Sequence, residues 1–332
     1  GEVIDIAGSS FFIKDSRIKP SPAEILISAD GALSSITQVL NKPPLKLLDR
    51  VQQPVNFGNA KVSGKGRVEV LLKSNLTSDE ITYEVKGTAK NFSSHLINPD
   101  FNISNGTLDF FADKKGLEIK GNAKVKDLPI QAKLLGSVAK EEPKFLEIDF
   151  SLSEKVLEML PDGFPEIKIS GSAPAKLHLK FLESKKVDFD LVSDLKGVEL
   201  SYLPIGWVKE MNGEAELKVS GTIGNEFVLN NVDLISPSLA LVGSAVQQKD
   251  ENFMFNFEKL ALEDVFDIQL LIEKDGVLEV TGGELDMQEF IKLPLAKNSS
   301  KKSTPIIIYL DELKLYEEQV ITKFTAALEV TG

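Results

Sequence analysis

Cysteine is absent from the 332 residues, so the chain can form no disulfide, zinc–thiolate site or thiol nucleophile. That absence suits an oxidising envelope compartment, where a stray thiol is a liability, but does not by itself place the protein there. Histidine is nearly as scarce. His95 and His178 stand far apart and neither has a second histidine at metal-ligand spacing, so a surface or packing role fits both better than ligation or base catalysis. No Gly-x-Ser-x-Gly elbow, Walker loop or Gly-x-Gly-x-x-Gly run occurs. Positive charge is short as well: 38 Lys and Arg against 50 Asp and Glu leave a net charge of −12, which repels nucleic acid. The densest lysine stretch, Lys297 to Lys302, is interrupted by Asn and Ser and reads as a solvated loop.

Long hydrophobic runs are missing too. Nothing nears the ~18 consecutive apolar residues of a membrane-crossing helix, and no signal peptide is recognisable. The chain starts at Gly1 on strand-like Val3-Ile4-Asp5-Ile6 and stops on strand-like Leu328-Glu329-Val330. The expectation is a piece of a longer protein whose anchor lies elsewhere.

What is present is alternation with a period of two. Val68, Val70 and Leu72 form one such series, and Leu177, Leu179 and Phe181 alternate with Lys176, His178 and Lys180. Val187, Phe189 and Leu191 alternate with Asp188 and Asp190, and Leu217 and Val219 with Glu216 and Lys218. Phe253, Phe255 and Phe257, then Phe266 to Ile272, then Phe324 to Val330, continue the pattern. Turn signals fall at Asn105-Gly106, Lys115-Gly116, Asn212-Gly213, Asp275-Gly276 and Gly282-Gly283. This predicts an antiparallel meander with one apolar and one polar face. Helical stripes are few: Leu33 to Leu40, Leu45 to Val51, Glu154 to Leu160 behind Ser153 as N-cap, and a marginal Met287 to Ile291.

The meander repeats. Val62-Ser63-Gly64 returns as Ile169-Ser170-Gly171 and Asn105-Gly106 as Asn212-Gly213, both 107 residues on. At that shift Val70 falls on Leu177, Leu72 on Leu179 and Phe110 on Leu217. Such repeats build long surfaces rather than compact pockets. The expected division is residues 1–60 (strands plus helices at 31–41 and 45–51), 61–167 (first repeat) and 168–332 (second repeat and continuation), in one continuous elongated domain. The fold class expected is mainly β: an elongated, strongly curled antiparallel sheet with a few short helices.

One-faced strands in this number need their apolar side covered, and three or four short helices cannot do it. The sheet either closes on itself as a self-filled sandwich or barrel, or curls into an open trough filled by an apolar ligand. Patterning alone leaves both open.

Gly31-Ala32-Leu33 running into Asn41-Lys42-Pro43-Pro44-Leu45-Lys46, then Asn56-Phe57-Gly58, resembles the AsmA-like family of Gram-negative cell-envelope proteins, of the YhdP type. Asn105-Gly106-Thr107-Leu108-Asp109-Phe110, Lys115 to Ala123, Leu128-Pro129-Ile130 and Gly283-Glu284-Leu285-Asp286-Met287 carry the likeness onward. The resemblance implies a periplasmic segment of a bridge-like phospholipid carrier whose parent is anchored in the inner membrane. It implies further that acyl chains are shielded in an apolar β-groove between inner and outer membranes. Phospholipid, or another acyl-chain lipid, would be the partner, with no cofactor and no metal. The groove lining expected is Val68, Val70, Leu72, Leu108, Phe110, Leu177, Leu179, Leu217, Val219, Phe253, Phe255 and Phe257. The ordinary reading of the same residues is a hydrophobic core, in a non-enzymatic assembly module of the envelope. Carboxylates alternate along strands as solvent faces, which makes an envelope hydrolase the weakest candidate. The chain reads as no enzyme. Trp207, the one tryptophan, is expected to plug an end or side of the sheet.

Overall fold

A computed structural model describes residues 3–42, 58–74, 77, 80–95, 102–137, 143–160, 167–182, 186–202, 205–247, 253–273, 276–293, 304–316 and 319–330. The predicted helix at 45–51, the Pro43-Pro44 element and the Lys297 to Lys302 stretch lie outside these residues. Strand accounts for 70% of the structure and helix for 7%, so the chain is mainly β. It divides into two compact units, Gly1–Phe150 and Ser151–Gly332.

The first unit is a meander of eight strands: β1 (Ser10–Ile13), β2 (Ser21–Ala32), β3 (Asn59–Leu72), β4 (Thr82–Ser94), β5 (Ile103–Asp113), β6 (Gly116–Val125), β7 (Leu128–Ser137) and β8 (Lys144–Leu152). Each pairs antiparallel with the next. Helix α1 (Leu33–Leu40) follows β2 and packs on β2 and β3, with Thr37 buried and its hydroxyl donating back to the Leu33 carbonyl at 3.0 Å.

The second unit holds β9 (Lys168–Gly171), β10 (Ala173–Phe181), β11 (Val187–Ser193), β12 (Val198–Tyr202), β13 (Trp207–Lys209), β14 (Glu216–Ile223), β15 (Phe227–Ile235), β16 (Leu239–Gln247), β17 (Phe253–Leu262), β18 (Phe266–Ile272), β19 (Leu278–Asp286), β20 (Thr304–Tyr316) and β21 (Gln319–Val330). Ten of them, β10, β11 and β14 to β21, pair in succession. The other three form a small sheet with β12 between β9 and β13. Helix α2 (Glu154–Leu157) packs on β9, and α3 (Met287–Phe290) on β20 and β19. Ser153 precedes α2 but its side chain makes no cap bond. Asp286 does cap α3, accepting from the Gln288 and Glu289 amides at 3.0 and 3.3 Å.

Two turn expectations are corrected, and the sheet is antiparallel-dominated with one exception: β19 and β20 run parallel. The chain from α3 to residue 303 separates them, long enough for the crossover of about a dozen residues that a parallel pair needs. Asn105-Gly106 is not a hairpin turn. It lies inside β5, where the ladder slips between Ser104 and Thr107 and Asn105 takes φ +52°. Asn tolerates the left-handed region wherever the chain needs it, and here a β-bulge needs it rather than a turn. Gly282-Gly283 likewise lies within β19, with Gly283 at φ +100°. Lys115 lies in the turn between β5 and β6, with Gly116 opening β6, and Asn212-Gly213 separates β13 from β14. Of Asp275-Gly276, Asp275 lies outside the described residues.

The repeat is legible in the order of strands. Shifted by 107 residues, β6, β7 and β8 overlap β15, β16 and β17, and the long β3 covers β9 plus β10. In the same way β4 covers β11 plus β12. Two strands that run through in the first unit are therefore broken in the second, and the pieces β9 and β12 join β13 in the small sheet. The first unit's bulges at Asn91 (φ +55°) and Asn105 shift onto Val198 and Asn212, beside those breaks.

Candidate functional site: the apolar sheet faces

Register converts the alternation into rows that cross the strands. In the second unit one row reads Leu179, Phe189, Gly221, Leu229, Ala245, Phe255, Ile272, Leu278, Ile306, Leu328, each opposite the next on the neighbouring strand. The row beside it reads Leu177, Leu191, Val219, Val232, Gly243, Phe257, Leu270, Val280, Ile308, Ala326. Neither row contains a polar side chain. At ~4.8 Å per strand, nine steps carry each row about 43 Å. Bulges in β15, β17 and β19, near Asn230, Glu258 and Thr281, keep these residues on one face while bending the strands.

The first unit has the same construction. Ala29, Gly64, Gly87, Phe110, Ile119, Leu134 and Leu146 form one row, and Gly31, Val62, Ala89, Leu108, Gly121, Ala132 and Ile148 the next. Val68 continues a third row, between Ile25 and Tyr83, and Val70 faces Ala23. Leu72 faces Ser21 at the strand end and is 42% exposed, so it borders the face rather than lining it.

The expected lining residues thus fall on apolar faces, but their surroundings differ. Leu177, Leu179, Val219, Phe253, Phe255 and Phe257 come together in a cluster with Phe189, Phe227, Leu229, Val232, Ala245 and Ile272. Five of its rings form a chain of contacts. Phe189 and Phe227 stack at 5.8 Å, Phe227 meets Phe253 edge-on at 6.1 Å, and Phe253, Phe255 and Phe257 stack at 5.7 and 5.8 Å. Phe253 and Phe255 are buried, at 5% and 9% exposure, so this part of the face is covered by its own side chains. Leu217 lies one row along, between Ser193 and Leu234. In the first unit Val68, Val70, Leu108 and Phe110 are half-buried, and the buried apolar residues there are mostly small: Ala23, Val62, Ala89, Ala123.

The opposite faces are polar and internally paired. Lys259 meets Asp267 at 3.1 Å and Lys314 meets Glu284 at 3.1 Å. Thr88 donates to Asp109 at 2.8 Å and Thr222 to Asp188 at 2.9 Å. An open depression on this side is lined by Glu258, Lys259, Asp267, Ile268, Gln269, Gly283, Glu284, Asp311 and Glu312. Asp311 accepts from the Gly283 amide at 2.9 Å, so its carboxylate secures the β19 bulge rather than standing ready for chemistry. His95 and His178 are both exposed. Among the described residues no His, Cys, Asp and Glu group could hold a metal, and no helix is long and apolar enough to cross a membrane.

Two buried residues of β13 have no counterpart in the expected lining. Trp207 is buried and its indole N–H donates to Ser238 Oγ at 3.1 Å, tying the small sheet to the turn before β16. Lys209 is 3% exposed. Its ammonium donates to the carbonyls of Leu195 and Val198, both at 2.8 Å, Glu210 at 3.0 Å and Met211 at 3.5 Å. Burial pushes its pKa down, while Asp194 pulls the other way. No sequence signal marks it, since a lone lysine in a strand reads as solvent-facing.

Comparison with family models, curated proteins and solved structures finds no match to this chain.

Proposed function

We propose that the chain is a segment of a periplasmic lipid-transfer protein of the AsmA-like, YhdP type, sheltering acyl chains on its apolar sheet faces. The observation that carries this reading is the pair of apolar rows crossing ten strands, of which α3 packs on β19 and β20. The hydrocarbon of one bilayer leaflet is about 15 Å deep, half of a ~30 Å core. Each row is longer than that and offers no polar group at which a chain would stop. Each buried methylene contributes ~0.8 kcal/mol, so the total grows with length and needs no specific pocket. Sliding and shelter are then compatible, and no catalytic group is called for.

Protein purified without harsh detergent is expected to carry phospholipid visible by native mass spectrometry. Leu217→Asp is expected to reduce lipid crosslinking at least several-fold with the strand content intact by circular dichroism. Failure of the wild-type protein to acquire any lipid, under conditions that load an established carrier, would end this reading. The phenylalanine cluster favours a second one: an envelope assembly module whose face is filled by its own side chains. That module would stay lipid-free under the same conditions.

A further inference from the structure

Gly64 on β3 and Gly87 on β4 face each other in the sheet interior, an arrangement that forgoes a cross-strand side-chain pair. Interior strand glycines weaken a sheet and mark places where something approaches the backbone closely. Here it is a ring. Phe110 is the direct partner of Gly87 on the other side, and a Cβ built on Gly87 would lie 2.6 Å from Phe110 Cζ. A Cβ on Gly64 would lie 3.4 Å from the same atom, so the ring reaches across both glycines. It lies along the sheet instead of standing up from it.

The device recurs twice in the second unit. Phe189 faces Gly221, where a Cβ would come within 2.8 Å of its ring, and Phe257 faces Gly243, where the distance would be 2.9 Å. The 107-residue shift carries Phe110 onto Leu217 and Gly87 onto Asp194, so neither later pair descends from the first by duplication. Three independent occurrences on apolar faces point to a requirement of the face itself. A glycine leaves a hollow in a layer of side chains. A phenylalanine that rises from a sheet fills the layer above it. Laying one into the other removes both irregularities and leaves a level floor.

We infer that the Phe110 ring laid over Gly64 and Gly87 determines which hydrocarbon chains the first unit's face accepts: slim, unbranched acyl chains in preference to methyl-branched ones. The inference rests on the lipid reading above. A straight chain can lie across a level floor in continuous contact, whereas each branch methyl needs a hollow, and the hollows at Gly64 and Gly87 are occupied. One methyl group more or less in a close-fitting hydrophobic pocket is worth roughly 10-fold or more, which sets the scale for a methyl that finds no hollow.

The test uses the whole chain with a photoreactive residue in place of Leu134, two strands from Phe110 on the same row. It is exposed to vesicles of equal parts dipalmitoyl- and diphytanoyl-phosphatidylglycerol. The wild-type background is expected to crosslink the straight-chain lipid about 10-fold more than the branched one. Phe110→Ala, which empties the hollow, is expected to bring the ratio close to one. If that variant does not fold, Phe110→Leu, whose branched end cannot lie flat across both glycines, is expected to shift the ratio in the same direction. Equal crosslinking of both lipids in the wild-type background overturns the inference while leaving the lipid reading intact, as does an undiminished preference in a folded variant. Absence of any crosslink overturns both.

Discussion

Lys209 has surroundings that its sequence context does not announce. It holds four backbone carbonyls of the turns around β12 and β13, including that of Leu195, a fully buried residue at φ +51°. A left-handed leucine costs of order 1–3 kcal/mol and persists only where neighbours over-determine it. Lys209→Met keeps the bulk but orphans buried acceptors, and is expected to destabilise the protein by about 1–3 kcal/mol in urea unfolding. The pH dependence has a definite sign. Burial lowers the folded-state pKa below the ordinary lysine value of 10.5, so between those two values the unfolded chain binds the proton more tightly. Stability of the wild type relative to Lys209→Met is therefore expected to rise as pH increases towards 10.5. A falling difference would mean that the ammonium is stabilised there beyond its cost of burial. Asn105 shows the opposite kind of illegibility. Its tolerance of positive φ was readable, but Asn-Gly serves a bulge as well as a turn, and only the partner strand decides between them.

Strands were the most legible elements. Leu177, Leu179 and Phe181 face one side and Lys176, His178 and Lys180 the other, because a one-residue slip would expose the whole apolar set. The stripe over Leu33 to Leu40 is helical end to end for a similar reason. The small sheet was hidden. Its strands are three to five residues long, too short for alternation to register. The parallel pairing of β19 and β20 was hidden as well, since alternation carries no strand direction. Trp207 reports on the small sheet. At 4% exposure, with its N–H bonded to Ser238, it is expected to fluoresce at short wavelength and resist acrylamide quenching until the protein unfolds. Emission quenched as readily as that of free tryptophan would place the indole in solvent and detach β13 from the turn before β16.

For the molecule as a whole, charge is the quantity that conditions act on most directly. The net charge of −12 repels itself, and the described ion pairs are mostly solvent-exposed and individually worth little. Added sodium chloride screens the repulsion more than it weakens those pairs, so the melting temperature is expected to rise with ionic strength. A fall would show that the ladders on the polar faces outweigh the net repulsion. The mainly β class and the repeat were readable from composition and spacing. What occupies the apolar face was not, because Phe255 alternates identically whether its neighbours or a bound chain cover it.

In the first unit each strand from β3 to β7 is hydrogen-bonded to the strand before and the strand after it. A pair of strands could therefore be added or dropped during descent without disturbing residues several strands away. Reach and lining would then be inherited separately, the first by counting hairpins and the second by choosing what each one carries.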